Sequence, residues 1–385
     1  MSHQPGLEIA DIFVSHGHLL GNLLPEQSKV VQAIKNCRTA VLGGHSLKCD
    51  SCDYAKNAYN SCRNRHCPKC GFTARSKWIE KRVDELLDCP YFHVVFTLPS
   101  ELRPLILRNK KVGYDILFKA ASKTLKEVAA KRLDIELGCI GVLHTWSQTL
   151  IDHPHVHFIV PGGGLSTSNL KWIKCNEKYL LPVEALSQVF RGKVLELFEA
   201  AWTEGKLKFM GKVAHLSHPG IFRDLLIDCA AKEFVVYAKE PFGGPEAVIK
   251  YLGQYTHRIA ISNYRLVKME GEVVYFKRRD KDNPGKSKVM SLHVKEFMRR
   301  FLLHVLPKAF VRIRHFGLLG NRSKEIKTAL IRSLQGLKEK TIDRARENWK
   351  ELLKRITGLD ADKCPCCGGG KLFSTLIFLR KLNTA

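Results

Sequence analysis

Long apolar runs are missing from this chain of 385 residues. No uninterrupted apolar stretch approaches the roughly 20 residues that a membrane-spanning helix needs. The first residues, Met1–Gly6, contain no basic segment followed by an apolar one, which a secretion signal requires. Internal repeats and long low-complexity segments are also missing from the sequence. We therefore expect a soluble, cytoplasmic protein of bacterial type with no membrane partner.

Acidic side chains are few. Asp and Glu number 37 against 63 Lys and Arg, which gives a formal net charge of +26 and a pI of about 9.6. Such an excess favours a polyanionic partner, because cations that contact phosphates release bound counterions. The composition also excludes a disordered basic tail. With 45% hydrophobic residues, the chain is long enough to build two or more domains with apolar cores.

The 13 cysteines are better explained by metal binding than by disulfides. A secretion signal is missing, and most of the cysteines lie in one stretch together with histidines. Two CxxC knuckles in this stretch, Cys49–Cys52 and Cys67–Cys70, have the short loops that suit tetrahedral zinc thiolates. The candidate zinc ligands are all the cysteines and histidines between residues 37 and 70, namely Cys37, His45, Cys49, Cys52, Cys62, His66, Cys67 and Cys70.

Eight ligands predict one or two zinc ions. Two tetrahedral sites would use all eight, whereas one site made by the four knuckle cysteines would leave Cys37 and His45 packed beside it. Basic and aromatic residues are interleaved along this stretch, as expected of a module that binds DNA, although a purely structural zinc module is the alternative. Near the end of the chain, Cys364-Pro-Cys-Cys367 forms half of a zinc ribbon. It is either a metal-free turn or takes histidine ligands from elsewhere.

A second candidate metal site lies at His155 and His157. The residues around them alternate as in a strand, so both imidazoles point to one face and can share one cation, while Val156 points to the core. Imidazoles combined with oxygen ligands suit Mg or Mn, whereas a thiolate set selects zinc. A lone His-x-His pair on a strand is more often a pair of ordinary histidines.

Two tyrosines, Tyr251 and Tyr255, lie four residues apart in a segment that Pro245 and Glu246 favour as a helix. One helical turn separates them, so both phenols lie on one face. Tyrosines at this spacing are usually packing residues. Their combination with the histidine pair, the cysteine-rich stretch and the positive charge favours a catalytic site instead.

Periodicity gives a coarse map of the elements. It predicts helices over residues 26–36, 73–87, 102–132, 182–211 and 294–303, and one helix or a pair of helices over 324–356. The predicted strands are 91–98, 139–151, 155–160, 233–238 and 272–278. The second and third strands form a hairpin whose predicted turn is Asp152-His-Pro154. The histidine pair is thus predicted on the second strand of the hairpin.

Several motifs occur in a specific order behind the cysteine-rich stretch. They are His153-Pro-His-Val-His157, Pro161-Gly-Gly-Gly164 and Tyr251-Leu-Gly-Gln-Tyr-Thr-His-Arg-Ile-Ala-Ile-Ser262. In these motifs the chain resembles the transposases of the insertion sequence ninety-one family, which are two-tyrosine HUH transposases. Residues 61–70, 144–148 and 311–320 extend the likeness across most of the chain.

The resemblance implies an α+β fold. Its catalytic domain has an HUH endonuclease-like central antiparallel sheet flanked by helices. A small N-terminal zinc-binding domain precedes this sheet, and a basic helical C-terminal region follows it. We predict domain limits of 1–88 for the N-terminal helix and zinc-binding domain, 89–322 for the catalytic domain and 323–385 for the basic tail.

The resemblance also implies an activity. Tyr251 and Tyr255 are the predicted nucleophiles, which cut and rejoin single-stranded DNA through a 5′-phosphotyrosine and move an insertion sequence by a rolling-circle-like route. A divalent Mg or Mn ion lies at His155 and His157, and its third protein ligand is open among His153, His144 and Gln254. The predicted DNA-contacting residues are Arg63, Arg65, Lys69, Lys250, His257, Arg258, Arg265, Arg312 and Arg314.

The expected partner is DNA, above all the single-stranded ends of the element and its target, so the protein would associate with the nucleoid when bound. Two other functions remain open. A plasmid rolling-circle replication initiator or relaxase would use the same chemistry at one origin. A non-catalytic, zinc-dependent DNA-binding regulator would bind DNA without forming a covalent adduct.

Overall fold

The computed structural model describes residues 6–168, 171–239, 246–250, 253, 260–280, 282–283, 285–337 and 347–378. Its helices are α1 (Ile9–His16), α2 (Pro25–Asn36), α3 (Phe72–Asp84), α4 (Arg103–Arg108), α5 (Lys110–Leu133), α6 (Val183–Thr203), α7 (Pro219–Ala230), α8 (Val294–Leu303), α9 (Lys324–Leu334) and α10 (Trp349–Thr357). Residues 246–250 are also helical.

The strands are β1 (Gly44–Cys49), β2 (Ala55–Tyr59), β3 (Tyr91–Thr97), β4 (Ile135–Glu136), β5 (Cys139–Trp146), β6 (Asp152–Pro161), β7 (Gly163–Ser166), β8 (Trp172–Lys174), β9 (Val236–Lys239), β10 (Leu266–Glu270), β11 (Val273–Arg279), β12 (Ser287–His293), β13 (Ile313–Phe316) and β14 (Leu372–Phe378). The pairings between them are antiparallel. This mixture of helices and antiparallel sheets confirms the predicted α+β class.

The central sheet has five strands in the order β13-β5-β6-β3-β9. Its middle strands β5 and β6 are rich in β-branched and aromatic residues and are buried over most of their length, as expected for strands covered on both faces. One face packs on helices, where the Phe96 ring of β3 lies 4.9 Å from the Phe190 ring of α6. The opposite face carries the histidines described below.

The hairpin of β5 and β6 differs from its prediction in the position of the turn. Residues 147–151 form the turn, and the predicted turn residues Asp152–Pro154 belong to β6. Ser147 closes the turn, because its backbone N–H donates to the Ile151 carbonyl at 3.0 Å and its hydroxyl accepts from the Ile151 N–H at 3.2 Å. Leu150 takes a positive φ of 61° within it.

The long helix predicted over 102–132 is divided at Asn109 into α4 and α5. Asn109 has non-helical backbone angles, and its side chain binds the backbone of Lys208 on both sides, accepting at 2.7 Å and donating at 3.0 Å. This long-range pairing compensates for the break, since Asn side chains readily replace backbone hydrogen bonds. Local periodicity carries no signal for it.

The C-terminal segment packs against the cysteine-rich module near the N-terminus. Strand β14 pairs with β1, which places β1 at the centre of a three-stranded sheet in the order β14-β1-β2. Helix α10 contacts α3 through Arg355, whose guanidinium binds the Glu80 carboxylate. The described part of the predicted basic helical tail thus contains α9, α10 and strand β14, and the sequence did not predict this strand.

A third sheet, β10-β11-β12, packs on α8, and the rings of Phe276 and Phe297 meet at 5.6 Å. A small sheet, β4-β7-β8, follows the Gly-rich end of β6. Among the described residues, the helices are all too short or too polar to cross a membrane.

Candidate metal centres and nucleic-acid interface

Three histidines converge on one face of the central sheet. His144 lies directly across from His155 in the pairing of β5 with β6, and His157 lies two residues further along the same face. The possible ligand nitrogens of the three side chains lie within 4.8 Å of one another. Three imidazoles at this spacing can bind one divalent ion and leave positions for oxygen ligands.

Neighbouring groups orient these rings for metal binding. The Nδ1–H of His155 donates to the His153 carbonyl at 2.6 Å, which leaves Nε2 as the ligand atom. His157 Nδ1 lies 2.7 Å from His93 Nε2 on β3. Within the described part of the chain, the buried His157 Nε2 has no hydrogen-bond partner. A buried nitrogen in that position is costly unless it binds an ion, so the site fits a metal.

Burial keeps the three imidazoles neutral at physiological pH. It lowers the pKa of His155 to about 4 and lowers the pKa values of His144 and His157 well below the usual range. Desolvation is the main cause in each case, because removal from water disfavours the charged form. A neutral imidazole is the form that ligates a metal.

Trp146 and Arg312 cover one side of the histidine cluster. The Trp146 ring stacks on His144 at 4.7 Å between centroids, and the Arg312 guanidinium lies 5.5 Å from the Trp146 ring centre. Arg312 is buried, its Nε donates to the Leu143 carbonyl at 3.1 Å, and burial lowers its pKa to about 9. Arg312 therefore braces the sheet beside the histidine cluster.

The candidates for the third ligand occupy different places. His144 completes the cluster, whereas His153 lies outside it, with Nδ1 at 3.4 Å from an Arg103 guanidinium nitrogen. Gln254 lies outside the described residues. His93, which the sequence analysis did not single out, contacts the cluster from β3. Its signal was weak, since a lone histidine in a strand is ordinary.

The predicted nucleophiles Tyr251 and Tyr255 lie outside the described residues, but the helical residues just before them are described. Val248 and Ile249 are buried in one apolar cluster with Ile140 of β5 and Ile159 of β6. Gly253, between the tyrosines in sequence, approaches α3 so closely that an added Cβ would lie 2.3 Å from Ile79 Cγ1.

Eight of the 13 cysteines form two groups of four. In the first group, called cluster one, the sulfurs of Cys37, Cys62, Cys67 and Cys70 lie within 4.8 Å of one another. Its Cys62 and Cys70 sulfurs are 3.7 Å apart, which matches the edge of about 3.8 Å expected for a tetrahedron with Zn–S bonds of about 2.3 Å. Hydrogen bonds from the neighbouring thiols, Cys62 first, lower the pKa of Cys37, so a thiolate is already favoured there.

Cluster two joins the two ends of the chain and consists of Cys49, Cys52, Cys364 and Cys367. Its sulfur separations are 3.8 Å for Cys49 to Cys367 and 3.7 Å for Cys52 to Cys364, again the edge length of a zinc tetrahedron. The first cysteine of each knuckle, Cys49 and Cys364, accepts a backbone N–H from two residues later at 3.4 Å. Such bonds stabilise thiolates.

This grouping differs from the ligand sets that the sequence suggested. The predicted two-site arrangement used His45 and His66 as zinc ligands, but Cys364 and Cys367 complete the second group instead. The C-terminal half of a zinc ribbon is therefore completed by Cys49 and Cys52. The single site made by the four knuckle cysteines does not form, because Cys49 and Cys52 lie in one group while Cys67 and Cys70 lie in the other.

The two histidines of the predicted set lie outside both groups. His66 is buried and structural: its Nε2 accepts the Leu306 N–H at 3.2 Å, and its Nδ1 lies 3.1 Å from the Asn64 side-chain oxygen. His45 lies on β1, between β2 and β14. Since β1 is the middle strand of its sheet, His45 is positioned by strand pairing and not by a metal.

Most of the predicted DNA contacts are engaged within the protein. Arg65 donates to the carbonyls of Phe310 and Pro307, Arg265 donates to those of Lys277 and Gln148, and Arg314 binds Asp115. Each of these arginines therefore braces the fold in the structure.

Arg312 likewise donates to the Leu143 carbonyl. The other five predicted contacts divide into three groups. Lys69 pairs with Glu8, and Lys250 pairs with Glu246 one helical turn away. Arg63 is exposed with a positive φ of 54°. His257 and Arg258 lie outside the described residues.

Two family models that match this chain indicate the class of protein to which it belongs. A family model described as "Transposase zinc-binding domain" matches residues 9–98, and one described as "Putative transposase" matches residues 138–326. The first match contains cluster one and half of cluster two, and the second contains the three histidines. The fold and its metal centres thus belong to a transposase with an N-terminal zinc-binding domain.

Two relatives extend this match over nearly the whole chain. The "Putative transposase y4qJ" of Sinorhizobium fredii is 44% identical over 381 residues, which cover 97% of this chain and 96% of the relative. The "Transposase for insertion sequence element IS801" of Pseudomonas savastanoi pv. phaseolicola is 28% identical over 370 residues, 94% of this chain and 87% of the relative. The chain belongs to the insertion sequence ninety-one family of transposases, as its motifs predicted. No solved structure matches it.

Proposed function

We propose that this transposase is a two-tyrosine strand transferase that cuts and rejoins single-stranded DNA at a divalent metal site made by His144, His155 and His157. The observation that carries the proposal is the convergence of these three imidazoles on one sheet face. The site has a metal-compatible donor set, and its buried nitrogens have the neutral form that binding requires.

The position of the segment before the tyrosines supports their role as nucleophiles. On β5 and β6, residues two apart share a face, so Ile140 and Ile159 lie on the same face as the three histidines. Val248 and Ile249 belong to the apolar cluster around Ile140 and Ile159. The chain is thereby anchored on the metal-binding face immediately before Tyr251, the first predicted nucleophile.

The proposed chemistry is a phosphodiester exchange. The phenol oxygen of Tyr251 or Tyr255 attacks phosphorus, the bond from phosphorus to the 3′ oxygen breaks, and the phenol proton balances the new 3′-hydroxyl. The reverse attack by a 3′-hydroxyl reseals a strand without an external energy source. A Mg or Mn ion on the histidines would stabilise charge on the phosphate oxygens. Two tyrosines permit a second cleavage while the first is still covalently occupied.

We further propose that clusters one and two each bind one structural zinc ion. The zinc at cluster two would connect the knuckle before β2 to the segment after α10, so it closes the sheet β14-β1-β2 across more than three hundred residues of sequence. Gly370 supports this assignment, because an added Cβ there would lie 2.4 Å from Cys49 Sγ. The backbone approaches the sulfurs as closely as glycine allows.

The decisive experiment combines the purified protein with Mn or Mg and with single-stranded oligonucleotides from the ends of its element, labelled at the 5′ or the 3′ end. Denaturing gels then show whether a protein-linked product forms. We expect a metal-dependent adduct that carries the DNA downstream of the nick. It should persist at a reduced level in Tyr251→Phe or Tyr255→Phe and vanish in the double variant.

The matched pair of histidine variants tests the metal site. We expect His144→Ala to abolish the adduct, whereas His153→Ala retains it, because the His153 backbone carbonyl still orients His155. Tight DNA binding with bound zinc but without any adduct would overturn the proposed mechanism and favour the DNA-binding regulator.

A further inference from the structure

Two neighbouring cavities lie beside the cysteine-rich module and beside Trp146, the residue that stacks on His144. The larger, cavity A, has a volume of about 560 Å³ and is lined by the start of α1, by residues 67–75 around cluster one and by residues 261–267. Its size lies within the range of about 300–1,000 Å³ in which pockets hold organic ligands. The two aromatic residues on its wall are Phe72 and Tyr264, whose exposed fractions are 42% and 89%.

An aromatic ring as exposed as Tyr264 contributes little to the stability of the fold, since most of its surface remains in water. Around it lie Arg38 and Arg75, and the Arg75 guanidinium sits 5.4 Å from the Phe72 ring centre. Cations beside flat, exposed rings are the combination by which proteins hold unpaired nucleotides.

The smaller space, cavity B, has a volume of about 270 Å³ and is lined by Trp146, by residues 260–262 and by the end of β11. Ile261 and Ser262 line both cavities, so the two adjoin. Trp146 lines cavity B and stacks on the metal-site residue His144. The charged residues that line cavity B are all cationic, namely Arg265, Lys277, Arg278 and Arg279.

We propose that cavities A and B form one track for single-stranded DNA, which leads from the histidine cluster past Trp146 and the cations of β11 to a base-stacking site at Tyr264 and Phe72. The inference depends on the proposed function only in placing the scissile phosphate at the histidine cluster. The cations of β11, namely Lys277, Arg278 and Arg279, bind the phosphates, and the rings of cavity A stack on bases. Arg265 holds the wall of cavity B through its hydrogen bonds to backbone carbonyls.

Single-stranded DNA is the occupant that fits this chemistry. A duplex keeps its base faces stacked inside, so exposed rings gain nothing from it, whereas an unpaired strand offers a flat face at every base. The net charge of the walls favours a polyanion. In cavity A, the acidic residue Glu8 is paired with Lys69. In cavity B, the described lining residues include no acidic side chain.

The test measures DNA binding by the full-length protein loaded with zinc, by fluorescence anisotropy, and needs no cleavage. The probes are oligothymidylate and a strand of equal length made of abasic residues, which keeps the phosphates and removes the bases. We expect Tyr264→Ala to weaken binding of oligothymidylate on the order of tenfold, the usual effect of losing one base stack, and to leave binding of the abasic strand unchanged. Tyr264→Phe should retain the affinity.

Two control variants separate stacking from charge. Tyr179 is 53% exposed and lines neither cavity, so Tyr179→Ala should leave both affinities unchanged. Arg278→Gln should weaken both probes equally and reduce the salt dependence of binding. The inference is overturned if Tyr264→Ala matches Tyr179→Ala, or if it weakens both probes alike.

Binding and cleavage fail separately in this design. If the wild-type protein forms no tyrosine adduct, the proposed strand transfer is refuted. The binding measurements on Tyr264→Ala still test whether the track binds single-stranded DNA. If adducts form but Tyr264→Ala binds like the wild type, the strand transfer stands and the track is refuted.

Discussion

Gly253 offers the most direct test of how the zinc-binding module supports the tyrosine segment. A Cβ at this position would lie 2.3 Å from Ile79 Cγ1 and 2.6 Å from Ile79 Cδ1, far inside normal contact. Overpacking of this kind costs about 1–3 kcal/mol. If Gly253→Ala displaces the segment from its working position by that amount, adduct formation should slow by about 5- to 150-fold.

Ile79→Ala removes the two atoms with which an alanine at 253 would clash and leaves the Ile79 Cβ, which would lie at an ordinary contact distance of 3.7 Å. In the Ile79→Ala background, Gly253→Ala should therefore slow adduct formation much less than it does in the wild-type protein. Single-turnover adduct formation and thermal unfolding of the four proteins give a double-mutant cycle. Equal slowing by Gly253→Ala in both backgrounds would refute the contact as the cause.

Gly192→Ala is the matched control for a helical glycine. It lies in α6, where an added Cβ meets nothing within 4 Å. Replacement of a helix-interior glycine by alanine at such a position should stabilise the protein by about 0.5–1 kcal/mol and leave the rate unchanged.

Three further predictions follow from the metal centres and the buried histidines. Metal analysis of the wild-type protein should find two zinc ions per chain. The double variant Cys364→Ser with Cys367→Ser should bind one zinc ion, and His45→Ala should still bind two. Two zinc ions in the double cysteine variant would contradict the zinc site at cluster two. His93→Gln should weaken Mn binding by about 10- to 100-fold, because it removes the ring that orients His157, and an unchanged titration would exclude that role. Burial lowers the pKa of His304 from 6.5 to about 3, so the unfolded chain binds this proton at a higher pH than the folded protein does. The free energy of unfolding should be highest above pH 6.5 and fall as the pH drops towards 3, by about 2 kcal/mol for this histidine at pH 5; urea unfolding of His304→Gln should show a weaker decline.

Local sequence was sufficient for features that depend on spacing along one element. Strand alternation put His155 and His157 on one face, and the predicted helix over 294–303 is α8. The α+β class and the family also followed from the sequence. Boundaries were less secure where one distant contact decided them, as at Asn109, whose side chain binds Lys208.

The positive charge was visible in the composition, but the role of each cation was not. Arg65, Arg265 and Arg314 looked like DNA contacts and instead bind carbonyls or Asp115 within the fold. A guanidinium can donate either to a phosphate oxygen or to a backbone carbonyl oxygen. Only its surroundings distinguish the two.

The sequence by itself determined which residue types carry the chemistry and which of them share a local face: the CxxC knuckles, the His-x-His pair and the basic composition. The tertiary structure decided the partners. His144 joins the histidine pair because β5 pairs with β6 in one particular register, and Cys364 with Cys367 completes cluster two because β14 returns to β1. The register of a hairpin is set by its turn, which was predicted at 152–154 and lies at 147–151. The return of β14 to β1 joins segments more than 300 residues apart, which no local pattern relates.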